Sequence, residues 1–273
     1  MPELTGAIMT SSAVEQLPYP GRIVKRKEKD KTIVEAVQRR LNEMGCGPVD
    51  TDGDYGEETE KAVKLFQIRF PDADGQPLKV DGEIGTLTWS RMFGSQTVPV
   101  TNIAASDLLA RVVEKAKTQI GIMEQPSGSN RGPEVDQYVT CCGLDPKGKF
   151  AWCAAFVYWC FDQAAKDLAR KNPVVKTAGV LAHWNGAGPQ PGATRITKLK
   201  ATNNPSLIKP GHIFIIDFGK GAGHTGLVEQ VTSGKLVTIE GNTNDGGSRE
   251  GIGVFRRTQR KIAQINKGFI EYA

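Results

Sequence analysis

A cysteine stands at the predicted start of an apolar helix, where its side chain could act as a nucleophile. Residues 150–170 are strongly apolar and predict a helix with Cys153 in its first turn. Unpaired amides and the helix dipole stabilise a thiolate there, the form in which cysteine attacks carbonyl groups. The amide of Cys153 is also placed to help form an oxyanion hole, in which one donor supplies about 3–4 kcal/mol of transition-state stabilisation. Because a lone cysteine on an apolar helix is more often a core residue, this hypothesis needs a base elsewhere in the chain.

One of the three histidines has the surroundings expected of a general base. His224 follows the glycine-rich loop 219–223 and begins a predicted strand. A general base must reach the nucleophile, and a third polar group must hold its ring in the correct tautomer. His183, beside Trp184 in a loop rich in glycine and proline, is predicted to lie at the surface or along a substrate cleft. His212 follows a Pro-Gly turn and is predicted to be an ordinary strand-end residue, so His224 is the predicted base.

Two polar residues at the end of the next predicted strand could orient the histidine ring. This strand covers residues 235–240, and Asn242 lies two residues beyond Glu240. Side chains two residues apart point to the same face of a strand, so either one could orient His224 if the strand continues. We predict Glu240 as the orienting acid and Asn242 as an accessory residue of the site.

The spacings expected of a metal site are missing from the sequence. The three histidines do not follow an HExxH or similar spacing, and Cys141 and Cys142 are adjacent, which suits tetrahedral chelation poorly. The acidic loop at 50–54 suggests calcium, but an EF-hand needs glycine and glutamate where this chain has Tyr55 and Lys61. We therefore predict neither a metal nor another cofactor. Five cysteines at irregular spacings also make a poor disulfide framework and indicate synthesis in a reducing compartment.

The elements that must position these residues are a helix and several strands in the C-terminal part of the chain. A capped amphipathic helix is predicted at about 107–120. The run at 212–218 is apolar on both faces, as expected of an inner strand. Together with the two strands already described, these elements predict an α+β domain over residues 107–273.

A repeated loop motif organises the N-terminal part of the chain. The pattern Asp-Gly-x-x-Gly-x-x-Thr occurs at 52–59 and again at 81–88, which is a repeat of about 29 residues. The Asp-Gly pair predicts a tight turn, and the threonine can satisfy free amides at a helix start. Amphipathic helices are predicted from Thr32 onwards and after Gly56.

The segments outside these two domains lack periodic patterns. Residues 1–31 are predicted to form a mobile, solvated leader, whose last ten residues carry six basic and two acidic side chains. Residues 94–106 are polar and poor in helix signals, and we predict that they link the domains. The first 21 residues hold no lysine or arginine and no long apolar stretch, so a secretory signal is not expected. No apolar run approaches the ~18 residues of a membrane helix, so stable membrane insertion is not expected either.

The overall charge is modestly basic. The 35 Lys+Arg residues against 30 Asp+Glu give a formal net charge of +5, which could favour any polyanion. A nucleic-acid-binding protein would cluster its basic residues among aromatic ones, whereas outside residues 22–31 they are scattered. We therefore predict no nucleic-acid partner.

Residues 32–93 resemble the small three-helix peptidoglycan-binding domain of bacterial cell-wall proteins. The resemblance rests on the two Asp-Gly loops and, in order along the chain, on Val37-Gln38, Ala62-Val63, Phe66-Gln67 and Thr88-Trp89. It implies that this domain is a three-helix bundle with peptidoglycan as its partner.

The C-terminal domain resembles the CHAP family, the cysteine- and histidine-dependent amidohydrolases and peptidases of bacterial cell-wall metabolism. Over roughly residues 110–273 the matching motifs lie, in order, at 130–136, 152–157, 210–211, 223–229, 240–244 and 268–270. The resemblance implies a papain-like fold, with a nucleophile helix packed on an antiparallel sheet. It assigns the nucleophile to Cys153, the base to His224 and the orienting acid to Glu240, with Asn242 nearby.

Several residues near these motifs have two alternative roles or depart from the family pattern. Arg131 and Asp136 could line the cleft, Arg131 by pairing with a stem-peptide carboxylate, or they could form an ion pair that stabilises the loop. Trp152 is a core residue or a substrate contact. Ala151 stands where proline often precedes the Trp-Cys pair, and His212 stands where aspartate usually follows Pro-Gly.

These observations predict a modular peptidoglycan hydrolase, a three-helix bundle followed by a papain-like α+β domain. The enzyme would cleave an amide in or next to the stem peptide, as an N-acetylmuramoyl-L-alanine amidase or endopeptidase, through a cysteine thioester. It would stay cytoplasmic until released as a phage endolysin, or until injected by a secretion machine as an antibacterial effector with an immunity protein in the producer. It would then act in the periplasm or cell wall of the target bacterium. The alternative is a non-catalytic wall-binding or assembly protein with a hydrolase-like fold.

Overall fold

The N-terminal part of the chain is a bundle of three helices. The computed structural model of the protein describes residues 17–244 and 251–273. The helices are α1 (Lys31–Glu43), α2 (Glu57–Arg69) and α3 (Thr86–Phe93). Their apolar faces meet in one core, which includes Val34, Val37, Leu41, Val63, Phe66 and Trp89. The two predicted helices are therefore present, and the predicted three-helix bundle is confirmed.

A buried glutamine in each repeat explains the repeated Asp-Gly loops. Gln38 donates from Nε2 to Asp52 Oδ1 at 2.8 Å, and its Oε1 accepts the N–H of the following glycine at 3.0 Å. One repeat later, Gln67 makes the same pair of bonds with Asp81 and the next glycine, at 3.0 and 2.9 Å. Both glycines have a positive φ, which suits glycine best. The repeat therefore places one loop anchor on α1 and an equivalent anchor on α2.

Residues 17–24 of the predicted leader pack on this bundle, so the prediction of a solvated leader is wrong for them, whereas most side chains at 25–31 are exposed. Tyr19 and Val24 are buried in the bundle core. Val24 exchanges two backbone hydrogen bonds with Ile84, and Trp89 donates from Nε1 to the carbonyl of Leu17 at 3.1 Å. Leu17 and Tyr19 contact Trp89 of α3 and Val24 pairs with Ile84 just before that helix, while the basic side chains stay at the surface. Residues 1–16 lie outside the described residues.

The C-terminal part combines helices with an antiparallel sheet. Its helices are α4 (Asp107–Thr118), α5 (Pro133–Cys141), α6 (Cys153–Asp167), α7 (Val180–Ala187) and α8 (Lys198–Asn203). The strands, counted from the start of the chain, are β1 (Val100–Thr101), β2 (Ala193–Thr197), β3 (Ile213–Gly219), β4 (Ala222–Thr232), β5 (Lys235–Thr243), β6 (Gly253–Lys261) and β7 (Gly268–Tyr272). The sheet has the strand order β2-β7-β3-β4-β5-β6, and β1 pairs with one end of β4.

Helix α6 lies on the centre of this sheet. It packs against β4 and β5, and α4 and α5 pack beside it. Strand β3 is buried on both faces, as predicted, because Ile213 and Ile215 face the core under α6 while Phe214 and Ile216 face a second core behind the sheet. The predicted α+β fold, with the nucleophile helix packed on an antiparallel sheet, is therefore confirmed. No helix among the described residues is long and apolar enough to cross a membrane.

The segment predicted as a linker is partly built into the sheet. Strand β1 pairs antiparallel with β4, so that Val100 lies opposite Thr232. Beside this edge, Asp72 of the bundle lies 3.4 Å from Lys235 Nζ and 3.3 Å from Lys261 Nζ. The helical bundle therefore contacts the β4–β5 turn and the end of β6 through ion pairs.

Candidate active site

Cys153 is the first residue of α6. The three-residue turn Pro146–Gly148 precedes it, and Trp152 occupies the N-cap position. The amides of the first helical turn have no partner within the helix, so they point toward the space in front of Cys153. The predicted position of Cys153 in the first turn is confirmed, although the helix begins three residues later than residue 150.

Strands β4 and β5 bring His224 and Glu240 together. Leu227 pairs with Ile239, so His224 on β4 lies diagonally across from Glu240 on β5. His224 Nε2 is 2.8 Å from Glu240 Oε2. Gly226 makes this approach possible, because a Cβ at that position would lie 2.9 Å from Glu240 Cγ. The glycine of the His-Thr-Gly motif therefore makes room for the carboxylate.

The other ring nitrogen of His224 is available to the Cys153 sulfur. His224 and Cys153 line the same cleft, and interaction with the Cys153 side chain is among the causes that raise the pKa of His224. Because Nε2 is engaged by Glu240, Nδ1 is the nitrogen left for the sulfur. The structure thus brings the three predicted residues to one site, with Cys153 and His224 on the cleft and Glu240 bonded to the imidazole.

Glu240 has a further partner that the sequence did not reveal. Arg260 on β6 donates from Nε to Glu240 Oε1 at 2.5 Å and from Nη2 to Oε2 at 2.6 Å. The Thr238 hydroxyl donates to Oε1 at 2.5 Å. The Arg260 guanidinium also lies over the Phe214 ring, 5.1 Å from its centroid. Both carboxylate oxygens are therefore held by charge-assisted bonds, which fixes the orientation of Glu240.

These contacts shift the pKa values of the pair in opposite directions. Burial opposes the charge on Glu240, but hydrogen bonds from Arg260 and His224 outweigh it and lower the pKa of Glu240 to about 2. Burial also opposes the charge on the His224 ring, but its bonds to Cys153 and Glu240 raise the pKa of His224 to about 9. At neutral pH the site therefore favours a carboxylate beside an imidazolium.

The other four cysteines have environments that suppress thiolate formation. Burial raises the pKa of Cys46, raises that of Cys141 to about 11 and that of Cys142 to about 12. Burial also raises the pKa of Cys160, which lies two turns further along α6, well above its usual range. All five cysteines are free thiols. Cys153 is the one that contacts a histidine, so it is the best-placed nucleophile among the five.

The cysteine and histidine line an open cleft of about 500 Å³. Asn242 lines the same cleft, on a backbone with φ of +53° where β5 ends. Glu124, which the sequence analysis did not single out, lines it as well. The cleft falls within the range of ligand-binding pockets, and its glycine-rich wall at 221–223 leaves room for a substrate backbone.

The structure changes the interpretation of the predicted substrate contacts. Trp152 is fully buried and donates from Nε1 to Glu124 Oε1 at 2.9 Å, so it is a core residue and not a substrate contact. Arg131 forms a bidentate ion pair with Asp136 at 2.7 and 2.8 Å, and neither residue lines the cleft. This arrangement favours the alternative of a loop-stabilising ion pair.

Of the remaining histidines, His183 differs from its predicted surroundings, whereas His212 lies directly before β3 as predicted. His183 lies in α7 and is buried, with Nε2 2.9 Å from the Tyr272 hydroxyl, so the prediction of a surface or cleft position is wrong. Burial lowers the pKa of His183 to about 4. His212 is fully buried next to β3, and its Nε2 lies 3.7 Å from Glu271 on β7. Neither histidine contacts the cysteine at the cleft.

Comparisons with protein families agree with this architecture. Residues 145–242 match the CHAP domain, and residues 31–92 match the peptidoglycan binding domain. No match was found among curated proteins or among solved structures. The chain therefore contains a CHAP domain preceded by a peptidoglycan-binding domain, as predicted, and these two domains identify it as a peptidoglycan hydrolase. Cys153, His224, Glu240 and Asn242 all lie within the CHAP match.

Proposed function

We propose that this hydrolase cleaves an amide bond in or next to the stem peptide, as an N-acetylmuramoyl-L-alanine amidase or an endopeptidase. The observation that carries the proposal is that Cys153 and His224 line one open cleft while His224 is hydrogen-bonded to the buried Glu240. Cysteine, histidine and a carboxylate in this order form the arrangement that catalyses acyl transfer on several unrelated folds.

The reaction proceeds through a thioester. The Cys153 sulfur attacks the amide carbon, and the backbone N–H of Cys153 stabilises the oxyanion. The C–N bond then breaks as His224 gives its proton to the leaving amine. Water next attacks the thioester, losing a proton to His224, and the C–S bond breaks to release a carboxylate and the free thiol. Glu240 keeps the imidazole oriented and stabilises its charge throughout, and no cofactor takes part.

Digestion of purified peptidoglycan tests the reaction class and identifies the bond. In water labelled with heavy oxygen, we expect each cut to place one labelled atom in a new carboxyl group, as mass spectrometry of the fragments would show. A sugar–peptide cut would release intact stem peptides with a new amino terminus, whereas a cut within the peptide would shorten the stems. Fragments with new sugar reducing ends and intact peptide links would contradict the proposal.

The N-terminal bundle is proposed to bring the catalytic domain to the wall. Deletion of residues 1–95 should weaken co-sedimentation with intact sacculi and leave hydrolysis of a small soluble muropeptide largely unchanged. The reason is that both cores of the C-terminal part are built from residues beyond 107, so the shortened chain keeps them. Circular dichroism of the shortened chain provides the folding control. Undiminished co-sedimentation, or loss of muropeptide hydrolysis by a folded fragment, would contradict this division of roles.

Two delivery routes fit such an enzyme. It could be released as a phage endolysin or injected as an antibacterial effector, and in both cases it would act in the periplasm or cell wall of the target. The presence of a peptidoglycan-binding domain supports a site of action at the wall. An injected toxin requires an immunity protein in its producer, so a neighbouring gene for a small exported inhibitor would favour injection.

A further inference from the structure

The cleft contains a buried carboxylate that the proposed mechanism does not use. Glu124 is 4% exposed and lines the cleft together with Cys153. Its oxygens accept hydrogen bonds from Trp152 Nε1 at 2.9 Å and from the N–H of Asn130 at 3.1 Å. Both donors are neutral, and no lysine, arginine or histidine in the described chain forms an ion pair with it. Since a buried carboxylate is costly unless it is paired with a cation, a positively charged ligand group in the cleft would supply the partner that Glu124 lacks.

A second buried acceptor lines the same cleft. Asn242 is 4% exposed, and its Oδ1 accepts no hydrogen bond from any residue that the structure describes. Leaving a buried acceptor unsatisfied costs about 1–3 kcal/mol, so a donor supplied by a ligand would recover this loss. Asn242 therefore points to a ligand group that donates hydrogen bonds.

Apart from the catalytic His224, the described lining of the cleft holds no cationic side chain that could pair with a carboxylate. No lysine or arginine is present among its described lining residues. Arg131, for which pairing with a stem-peptide carboxylate was one of two predicted roles, binds Asp136 through Nε and Nη2 and does not line the cleft. A primary ammonium, in contrast, carries a positive charge and three hydrogen-bond donors, which match Glu124 and Asn242 Oδ1.

We propose that Glu124 and Asn242 form a subsite for a primary ammonium group of the substrate, beside the scissile amide. This inference rests on the proposed amide hydrolysis and narrows its substrate class. The preferred substrates are stem peptides whose diamino acid carries a free side-chain amine, and peptides in which that amine is blocked are poor substrates.

Two soluble muropeptides test the subsite, identical except that the side-chain amine is free in one and acetylated in the other. Acetylation removes the charge and two donors, so we expect it to lower kcat/KM of the wild-type enzyme by about 10–100-fold, the range of a charge-assisted hydrogen bond. Equal cleavage of the two muropeptides would overturn the proposal.

Three variants assign the preference to particular residues. Glu124→Gln replaces the carboxylate by a neutral amide. The ratio of kcat/KM for the free-amine muropeptide to kcat/KM for the acetylated one should fall to about twofold or less. Asn242→Asp places a second carboxylate at the unsatisfied acceptor and should increase the preference, which gives a test in the opposite direction if Glu124→Gln fails to fold. Glu114→Gln, which removes a surface carboxylate paired with Arg111 at 2.8 Å, should keep the wild-type preference.

Two further measurements separate amine binding at this subsite from turnover and from metal binding. Calorimetry on the Cys153→Ala variant compares the Kd values of the two muropeptides without turnover, so the subsite and the proposed hydrolysis can fail independently. We expect tighter binding of the free amine, and equal Kd values would overturn the subsite. Loss of the preference on adding calcium would instead identify Glu124 as part of a metal site and would also overturn it.

Discussion

Replacement of Cys153 by alanine should abolish fragment release from peptidoglycan, with a loss in kcat of about 10⁶-fold, the size seen when a triad nucleophile is removed. Without the sulfur no thioester can form, and the cleft retains only binding and oxyanion stabilisation. Cys153→Ser should be nearly as inactive, because the serine hydroxyl is far less acidic than a thiol. Mass spectrometry of fragments released over time measures both variants.

Cys160→Ala is the matched control for this experiment. Cys160 lies on the same helix and is fully buried, but it does not contact His224. This variant should keep wild-type turnover even if its stability falls. Alkylation at neutral pH should label Cys153 first, since burial raises the pKa of the other four thiols. Equal fragment release by wild type and Cys153→Ala would refute the nucleophile assignment, and inactivity of both would favour the non-catalytic wall-binding alternative.

The structural features that could be predicted from the sequence are those determined by the pattern of residues close together in the chain. The start of α6 at Cys153 follows from the apolar run and the turn that precedes it. Strand β3 follows from a run that is apolar on both faces. The Asp-Gly repeat predicted two equivalent turns, and Gln38 and Gln67, 14 residues before the aspartate of each turn, anchor them in the same way. Each of these features depends on residues close together in the chain.

The features that sequence missed depend on strand register and on contacts between distant segments. Arg260 lies in a basic run at the edge of the sheet, which looks like an exposed surface in sequence. Its role arises because β6 pairs with β5 and brings it against Glu240, 20 residues away. The buried position of His183 escapes prediction for a similar reason, since its partner Tyr272 lies 89 residues further along the chain. Residues 17–24 look like a leader in sequence because their contacts are made with residues 84–97, some 60 to 80 positions further along the chain.

Glu240→Gln is expected to lower kcat by about 10³–10⁴-fold, as when the carboxylate of a catalytic triad becomes an amide. The glutamine keeps the size of the side chain but removes its charge, so His224 loses one of the two partners that raise its pKa to about 9. Burial then dominates, and the pKa of His224 falls. The imidazolium exists only below this pKa, so the fall in activity on the alkaline side should move to lower pH. The pH profile of kcat measures this displacement.

Thr238→Val is the control that removes one hydrogen bond of Glu240 and keeps its charge. It removes the 2.5 Å hydrogen bond to Oε1 but leaves the carboxylate paired with Arg260 and His224. Because the charge beside the imidazole remains, the alkaline limb of this variant should stay near that of the wild type, with at most a modest loss in kcat. If kcat of Glu240→Gln falls at the same alkaline pH as kcat of the wild type, Glu240 does not support the imidazolium. The Arg260–Glu240 pair would then only hold β5 and β6 together.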